Sequence, residues 1–180
     1  MGNSKREQKV LELIKNEITE NTFMEYKIRE LKQAEADVLD TFLYEAIYVP
    51  EGETPPEKDI IKNPELQIYI SDFGTKKDDI CFVAEVQSQI VGAVWVRIMN
   101  DYGHMDDETP SFAISMLKEY RHCGIGTKLM EKMLSELKKR GYKQASLSVQ
   151  KLNYAAEMYK KIGFEVVDEN DEEYIMVYHI

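Results

Sequence analysis

Between Phe112 and Thr127 the chain reads FAISMLKEYRHCGIGT, and no other stretch limits the fold as strongly. An apolar run stops at Lys118 and Glu119. The chain then passes through Arg121, His122, Cys123, Gly124, Ile125 and Gly126 into a long amphipathic segment. A strand, a glycine-containing turn and a helix start in that order suggest a pocket for a phosphorylated ligand. Residues without side chains let backbone N–H groups approach an anion, and the unpaired amides and positive dipole end of a helix hold it.

Two nucleotide fingerprints are poor fits. The dinucleotide pattern needs a third glycine three residues after the second, where this chain has Leu129. The ATP-binding loop needs Gly-Lys-Ser/Thr, and here the order is Gly126-Thr127-Lys128.

The rest of the chain supplies elements around this junction. Val10, Leu11, Ile14 and Ile18 recur at helical spacing, which predicts a short amphipathic helix over residues 5–20, in a helical extension of residues 1–20 that precedes one domain over 21–180. Phe23 to Leu31 alternates as a half-buried strand does. An apolar stripe from Ala34 predicts a helix ending near Tyr48, before Pro50, and Pro64 to Phe73 reads as another short helix. The turn-rich, acidic insertion between these two is of the kind that lines binding sites. Ile80–Val86 and Ile90–Ile98 form a hairpin around Gln87-Ser88-Gln89. A polar loop from Asn100 to Pro110 leads into the strand at Phe112.

After the glycine turn, Ile125, Leu129, Met130, Met133, Leu134 and Leu137 give one apolar helix face, capped at Gly141. Lys143 to Gln150 is a strand, Asn153 caps a helix that closes at Gly163, and Phe164–Val167 and Tyr174–Tyr178 are the final strands. The alternation of these elements makes an α+β, or mixed α/β, domain around a central sheet.

Composition excludes several classes. With 23 Lys and Arg against 33 Asp and Glu, the net charge of -10 disfavours attraction to a nucleic-acid backbone. The N-terminal MGNSKREQKV lacks the apolar core of a signal peptide, and no segment has the apolar length that spans a bilayer, so the cytoplasm is the expected compartment. Cys81 and Cys123 lack metal-type spacing, and no metal is expected.

Arg121-His-Cys-Gly124-Ile-Gly126 resembles the Gln/Arg-x-x-Gly-x-Gly/Ala pattern of the GNAT superfamily of N-acetyltransferases. Downstream, Asn153-Tyr-Ala-Ala-Glu-Met-Tyr159-Lys-Lys-Ile-Gly163-Phe164 is similar to that family's Asn-x-x-Ala-x-x-x-Tyr-x-x-x-Gly-Phe signature. Two motifs at the expected separation are far more specific than either alone. The resemblance covers the chain beyond its first 20 or so residues. It implies a mostly antiparallel, splayed sheet of about seven strands flanked by helices, with acetyl-coenzyme A as co-substrate.

The resemblance also implies residue roles. His122, Cys123, Gly124, Ile125, Gly126 and Thr127 would offer amides to the coenzyme's pyrophosphate, with Arg121 beside them. Ile114, Ser115 and Met116 would pair through backbone groups with the pantetheine arm as an extra strand. Asn153 would contact that arm, and Tyr159 would lie near the departing thiolate and could protonate it.

The partner implied is a primary amine on a small molecule, peptide or protein, attacking the thioester directly in a ternary complex. A lysine-like amine with a pKa of about 10.4 is almost wholly protonated near neutral pH, so something must take its proton. In several family members a glutamate stands on the strand before the Asn motif. Here that place is Ser148, which argues against a simple assignment to the ribosomal-protein acetylating branch. Glu108, Glu85, His104 or a water chain are the remaining candidates.

The alternative reading is a catalytically weak acyl-coenzyme A sensor of the same fold, and a nucleotide-binding protein is a third. The final strand and the N-terminal extension offer contact surfaces for a homodimer.

Overall fold

The computed structural model describes residues 25–180. The amphipathic segment expected at residues 1–20 lies outside them. Among the described residues seven strands make one open sheet: β1 (Lys27–Glu30), β2 (Ile80–Val86), β3 (Gln89–Arg97), β4 (Ser111–Met116), β5 (Gln144–Gln150), β6 (Glu165–Glu169) and β7 (Glu173–His179). Their spatial order is β1-β2-β3-β4-β5-β7-β6. Four α-helices accompany them: α1 (Val38–Ala46), α2 (Pro64–Gln67), α3 (Ile125–Arg140) and α4 (Ala155–Ile162).

Strand alternation feeds two cores, one on each face of the sheet. Phe82, Val94, Val96, Phe112 and Leu147 pack with Leu129, Met130, Met133 and Leu137 of α3 and with Ala156 of α4. Cys81, Val83, Ala93 and Trp95 point the other way, onto Leu39, Phe42 and Leu43 of α1 and onto Ile70 and Phe73. Coverage of both faces explains why β2 and β3 read as nearly continuous apolar runs. Gly141 and Gly163 end α3 and α4 in left-handed conformations, as the sequence suggests.

Three local expectations change. The hairpin turn is tighter than the sequence suggests. Gln87 and Ser88 alone reverse the chain, with φ of 48° and 68°, and Gln89 already begins β3.

The helix expected from Ala34 starts only at Val38, after a 3-10 turn over Gln33–Glu35. The cause is a side-chain clamp from the preceding strand. Arg29 of β1 holds the Glu35 carboxylate through two 2.8 Å bonds, and Glu35 also accepts from the Lys32 N–H. The helix stops at Ala46 because Ile47 is already extended on the way to Pro50.

Helix α2 likewise stops at Gln67 rather than running to Phe73. Arg97 donates to the carbonyls of Ile68 (2.8 Å) and Ser71 (3.0 Å), and the Trp95 indole donates to that of Tyr69 (3.2 Å). Side chains of β3 thus take the carbonyls that further helical turns would use. Arg97 is itself held in a buried pair with Asp79 at 2.9 Å.

All neighbouring strands pair antiparallel except β4 and β5, which run parallel and share one register pair, Ser111↔Ser146. Beyond it β4 stays with β3 and β5 stays with β7. The sheet therefore splays open between Phe112–Met116 and Leu147–Gln150.

Candidate functional site

The splay opens into a cleft of about 1520 Å³ whose walls include α1, the 47–56 loop, β4, β5 and the starts of α3 and α4. Tyr48 Oη donates to the Leu152 carbonyl at 3.1 Å, tying two of these walls together.

At one end lies the glycine turn. Gly124 has φ of 79°, a left-handed conformation that suits a residue without Cβ, and a Cβ built on it would meet nothing within 4 Å. The first helical bond, from Lys128 N–H to the Gly124 carbonyl, leaves the amides of Gly124, Ile125, Gly126 and Thr127 without a protein acceptor among the described residues. No acidic residue stands in the first turn of α3, so no carboxylate of that turn competes for these donors.

The expected site residues divide by which of their atoms are available. Ile114, Ser115 and Met116 lie on β4 beside the gap, and all three line the cleft. The Ser115 hydroxyl is committed to the Phe42 carbonyl at 2.6 Å, so this residue offers backbone groups only. Arg121 lines the cleft, but its guanidinium is tied to the Glu45 carboxylate at 2.8 Å and to the Met116 carbonyl at 3.0 Å. It braces the turn against α1 and β4. His122 is exposed with φ of 62°, and its ring lies against Tyr154 at 4.5 Å. The Ile125 side chain is buried in the core, and neither it nor Cys123 lines the cleft. Thr127 lines it, as do Gly124 and Gly126. Asn153 Oδ1 accepts from the Ala155 N–H at 3.0 Å, capping α4 while facing the same cleft.

Tyr159 projects from α4 and is only 7% exposed. Its hydroxyl has no hydrogen-bond partner among the described residues, and burial pushes its pKa up, so it stays protonated.

The side chains considered as proton acceptors lie elsewhere. Glu85 bonds Arg29 at 2.8 Å and Lys27 at 3.5 Å, opposite Lys27 in the β1–β2 register. His104 Nδ1 is 2.9 Å from the Met99 carbonyl, and Glu108 is exposed on the loop. None of the three lines the cleft, whereas Ser148 does.

Two residues escape the sequence reading. Tyr69 lines the cleft, and its hydroxyl donates to Asp101 Oδ2 at 2.9 Å. Asp101 Oδ1 accepts from Ser111 Oγ at 2.8 Å, at the residue where β4 and β5 meet. Burial raises the Asp101 pKa above its ordinary value and raises that of Tyr69. The only hint in the sequence is the insertion before β2; Asp101 looks like any other acid of a polar loop.

Among the described residues no group of three or more His, Cys, Asp or Glu gathers to hold a metal ion, and no helix is long and apolar enough to cross a membrane.

Known proteins resemble the chain in sequence and in fold. A sequence model of the acetyltransferase (GNAT) domain matches residues 77–166. The chain is 40% identical over 62 residues to a [ribosomal protein bS18]-alanine N-acetyltransferase of Haemophilus influenzae, covering 34% of this chain and 42% of that protein. It is 32% identical over 90 residues to the probable N-acetyltransferase camello of Xenopus tropicalis, covering 49% of this chain and 40% of that one. The chain thus spans less than half the length of these two relatives. Among solved structures, the PaiA N-acetyltransferase of Thermoplasma acidophilum in complex with coenzyme A superposes with a TM-score of 0.66 at 22% identity, over 87% of this chain and all of that one, a likeness of fold. With the domain match spanning β2 to β5 and α4, and the splayed sheet behind it, the chain belongs to the GNAT acetyltransferase family.

Proposed function

We propose that this protein is an N-acetyltransferase that moves the acetyl group of acetyl-coenzyme A to a primary amine of a small molecule, peptide or protein by direct attack in a ternary complex. One observation carries the reading: the acceptor-free amides of Gly124, Gly126 and Thr127, the open edge of β4 and the Tyr159 hydroxyl share one cleft. Those features fit the coenzyme. Free amides at a helix start suit a pyrophosphate, and an open strand edge suits an amide-bearing arm.

Acetyl-coenzyme A supplies an already activated thioester when bound there. Gly124, Ile125, Gly126 and Thr127 hold the phosphates through backbone N–H groups. Ile114, Ser115 and Met116 align the arm through the main chain, and Asn153 flanks it. Tyr159, kept protonated by burial, donates a hydrogen bond to the departing sulfur.

The position of Ser148 and the absence of Glu85, His104 and Glu108 from the cleft walls favour a second reading, an acyl-coenzyme A sensor without turnover. Steady-state release of free coenzyme A across a panel of diamines, amino acids and short peptides separates the two. Turnover with at least one amine supports the enzyme. Tight coenzyme binding with no turnover on any amine supports the sensor.

A further inference from the structure

The reaction needs a group to take the proton of the incoming ammonium, and β5 contributes no carboxylate to the cleft, only the Ser148 hydroxyl and the Gln150 amide. A carboxylate reaches the vertex of the splay from the 100–110 loop instead. Ser111 and Ser146 are register partners with hydroxyl oxygens 3.5 Å apart, and Ser148, two residues along β5, points to the side that Ser146 does. Asp101 accepts from Ser111 at 2.8 Å and from the cleft-lining Tyr69 at 2.9 Å, so it sits behind that vertex.

The placement is built rather than incidental. A Cβ on Gly103 would lie 3.0 Å from Leu147 C and Ser148 N, so the loop touches β5 only because that residue is glycine. Ser146 Oγ donates to the Gly103 carbonyl at 2.6 Å. On the other side, Trp95 and Arg97 hold the carbonyls of residues 68, 69 and 71, which aims the Tyr69 ring.

We propose that Tyr69 and Asp101 form a two-step proton relay that deprotonates the acceptor amine. The relay rests on the acetyltransferase reading. One N–H proton of the ammonium passes to Tyr69 Oη as the hydroxyl proton of Tyr69 passes to Asp101 Oδ2, leaving a neutral amine, a neutral tyrosine and a protonated Asp101. The amine lone pair then forms the C–N bond and the C–S bond breaks. The second amine proton is lost as the amide forms and the sulfur ends protonated, so one net proton leaves Asp101 for solvent.

Among the described residues, the titratable groups that act on Tyr69 besides Asp101 are Glu173 of β7 and Tyr102 of the loop. Glu173 adds negative charge near Tyr69 and accepts from the Gln150 amide at 3.1 Å. The Tyr102 hydroxyl donates to Glu65 of α2 at 3.2 Å. Burial raises the Asp101 pKa, which suits a group that must both take and release a proton.

The test compares wild type and Tyr69→Phe over pH 6–10 with acetyl-coenzyme A and the fastest amine of the panel, with coenzyme A affinity measured by calorimetry. Phe keeps the packing and removes only the hydroxyl. The relay requires a loss in kcat of about 100-fold at pH 7, unchanged coenzyme A affinity, and a deficit that closes towards pH 10 as the amine deprotonates unaided. Equal rates at every pH, or a loss of the same size at every pH, would overturn it; the second is what a merely structural hydroxyl gives. Wild-type protein that binds coenzyme A but acetylates no amine would sink the acetyltransferase reading, and the relay with it. A wild type that turns over beside an equally fast Tyr69→Phe sinks the relay alone.

Discussion

The Tyr159 hydroxyl opens onto the cleft from an otherwise buried ring, with no protein partner among the described residues. A core tyrosine needs its hydroxyl satisfied by protein, and this one is left for something that enters the cleft. Tyr159→Phe should therefore lower kcat by about 100-fold while leaving the melting temperature and coenzyme affinity near wild type, measured by coenzyme A release, thermal melting and calorimetry. At this scale the sequence is informative where chemistry and spacing coincide, as in Gly124, Gly126, Asn153 and Tyr159. It is silent on Tyr69 and Asp101, because what distinguishes them is a 2.9 Å contact between residues 32 positions apart.

Element boundaries are legible where local signals act alone. Helix α3 begins after Gly124 and ends at Gly141 because its apolar stripe and its terminal glycines agree. They depart from the sequence pattern where a side chain of another element intervenes: Arg29 of β1 shortens the start of α1, and Arg97 with Trp95 of β3 curtails α2. Each of these has a measurable consequence. The Arg97–Asp79 pair is nearly inaccessible to solvent, so Asp79→Asn should cost about 3–5 kcal/mol in chemical unfolding by leaving a buried guanidinium without its counter-charge.

The Arg29 cluster predicts a pH dependence. Hydrogen bonds from Arg29 and from the Lys32 N–H lower the Glu35 pKa to about 2. A lowered carboxylate pKa contributes stability that is fully present above the unfolded value and is lost as pH falls through the folded one. Urea unfolding should thus lose stability between roughly pH 4.5 and pH 2. Glu35→Gln should flatten that part of the curve; an unchanged slope would show that the pair does not contribute.

At the scale of the whole molecule, the sheet is two halves held by one register pair and opened beside it, with the helix-start amides at the mouth of the opening. The splay follows from the family resemblance alone, since it arises from how β4 follows β3 and β5 follows β7, which no local pattern records. The coenzyme site at the helix start is tested by a calorimetric titration of wild type and Gly126→Val with acetyl-coenzyme A, ATP and NAD. A Cβ on Gly126 would stand in ordinary contact with Met158, Ile114 and Met116 at 3.9–4.0 Å, and the valine methyls beyond it should obstruct the phosphates, with a melting temperature near wild type showing that the variant is folded. Acetyl-coenzyme A should bind wild type more tightly than either nucleotide and bind the variant at least about 10-fold more weakly. Equal affinity in the two proteins, or tighter binding of ATP or NAD, would contradict that site.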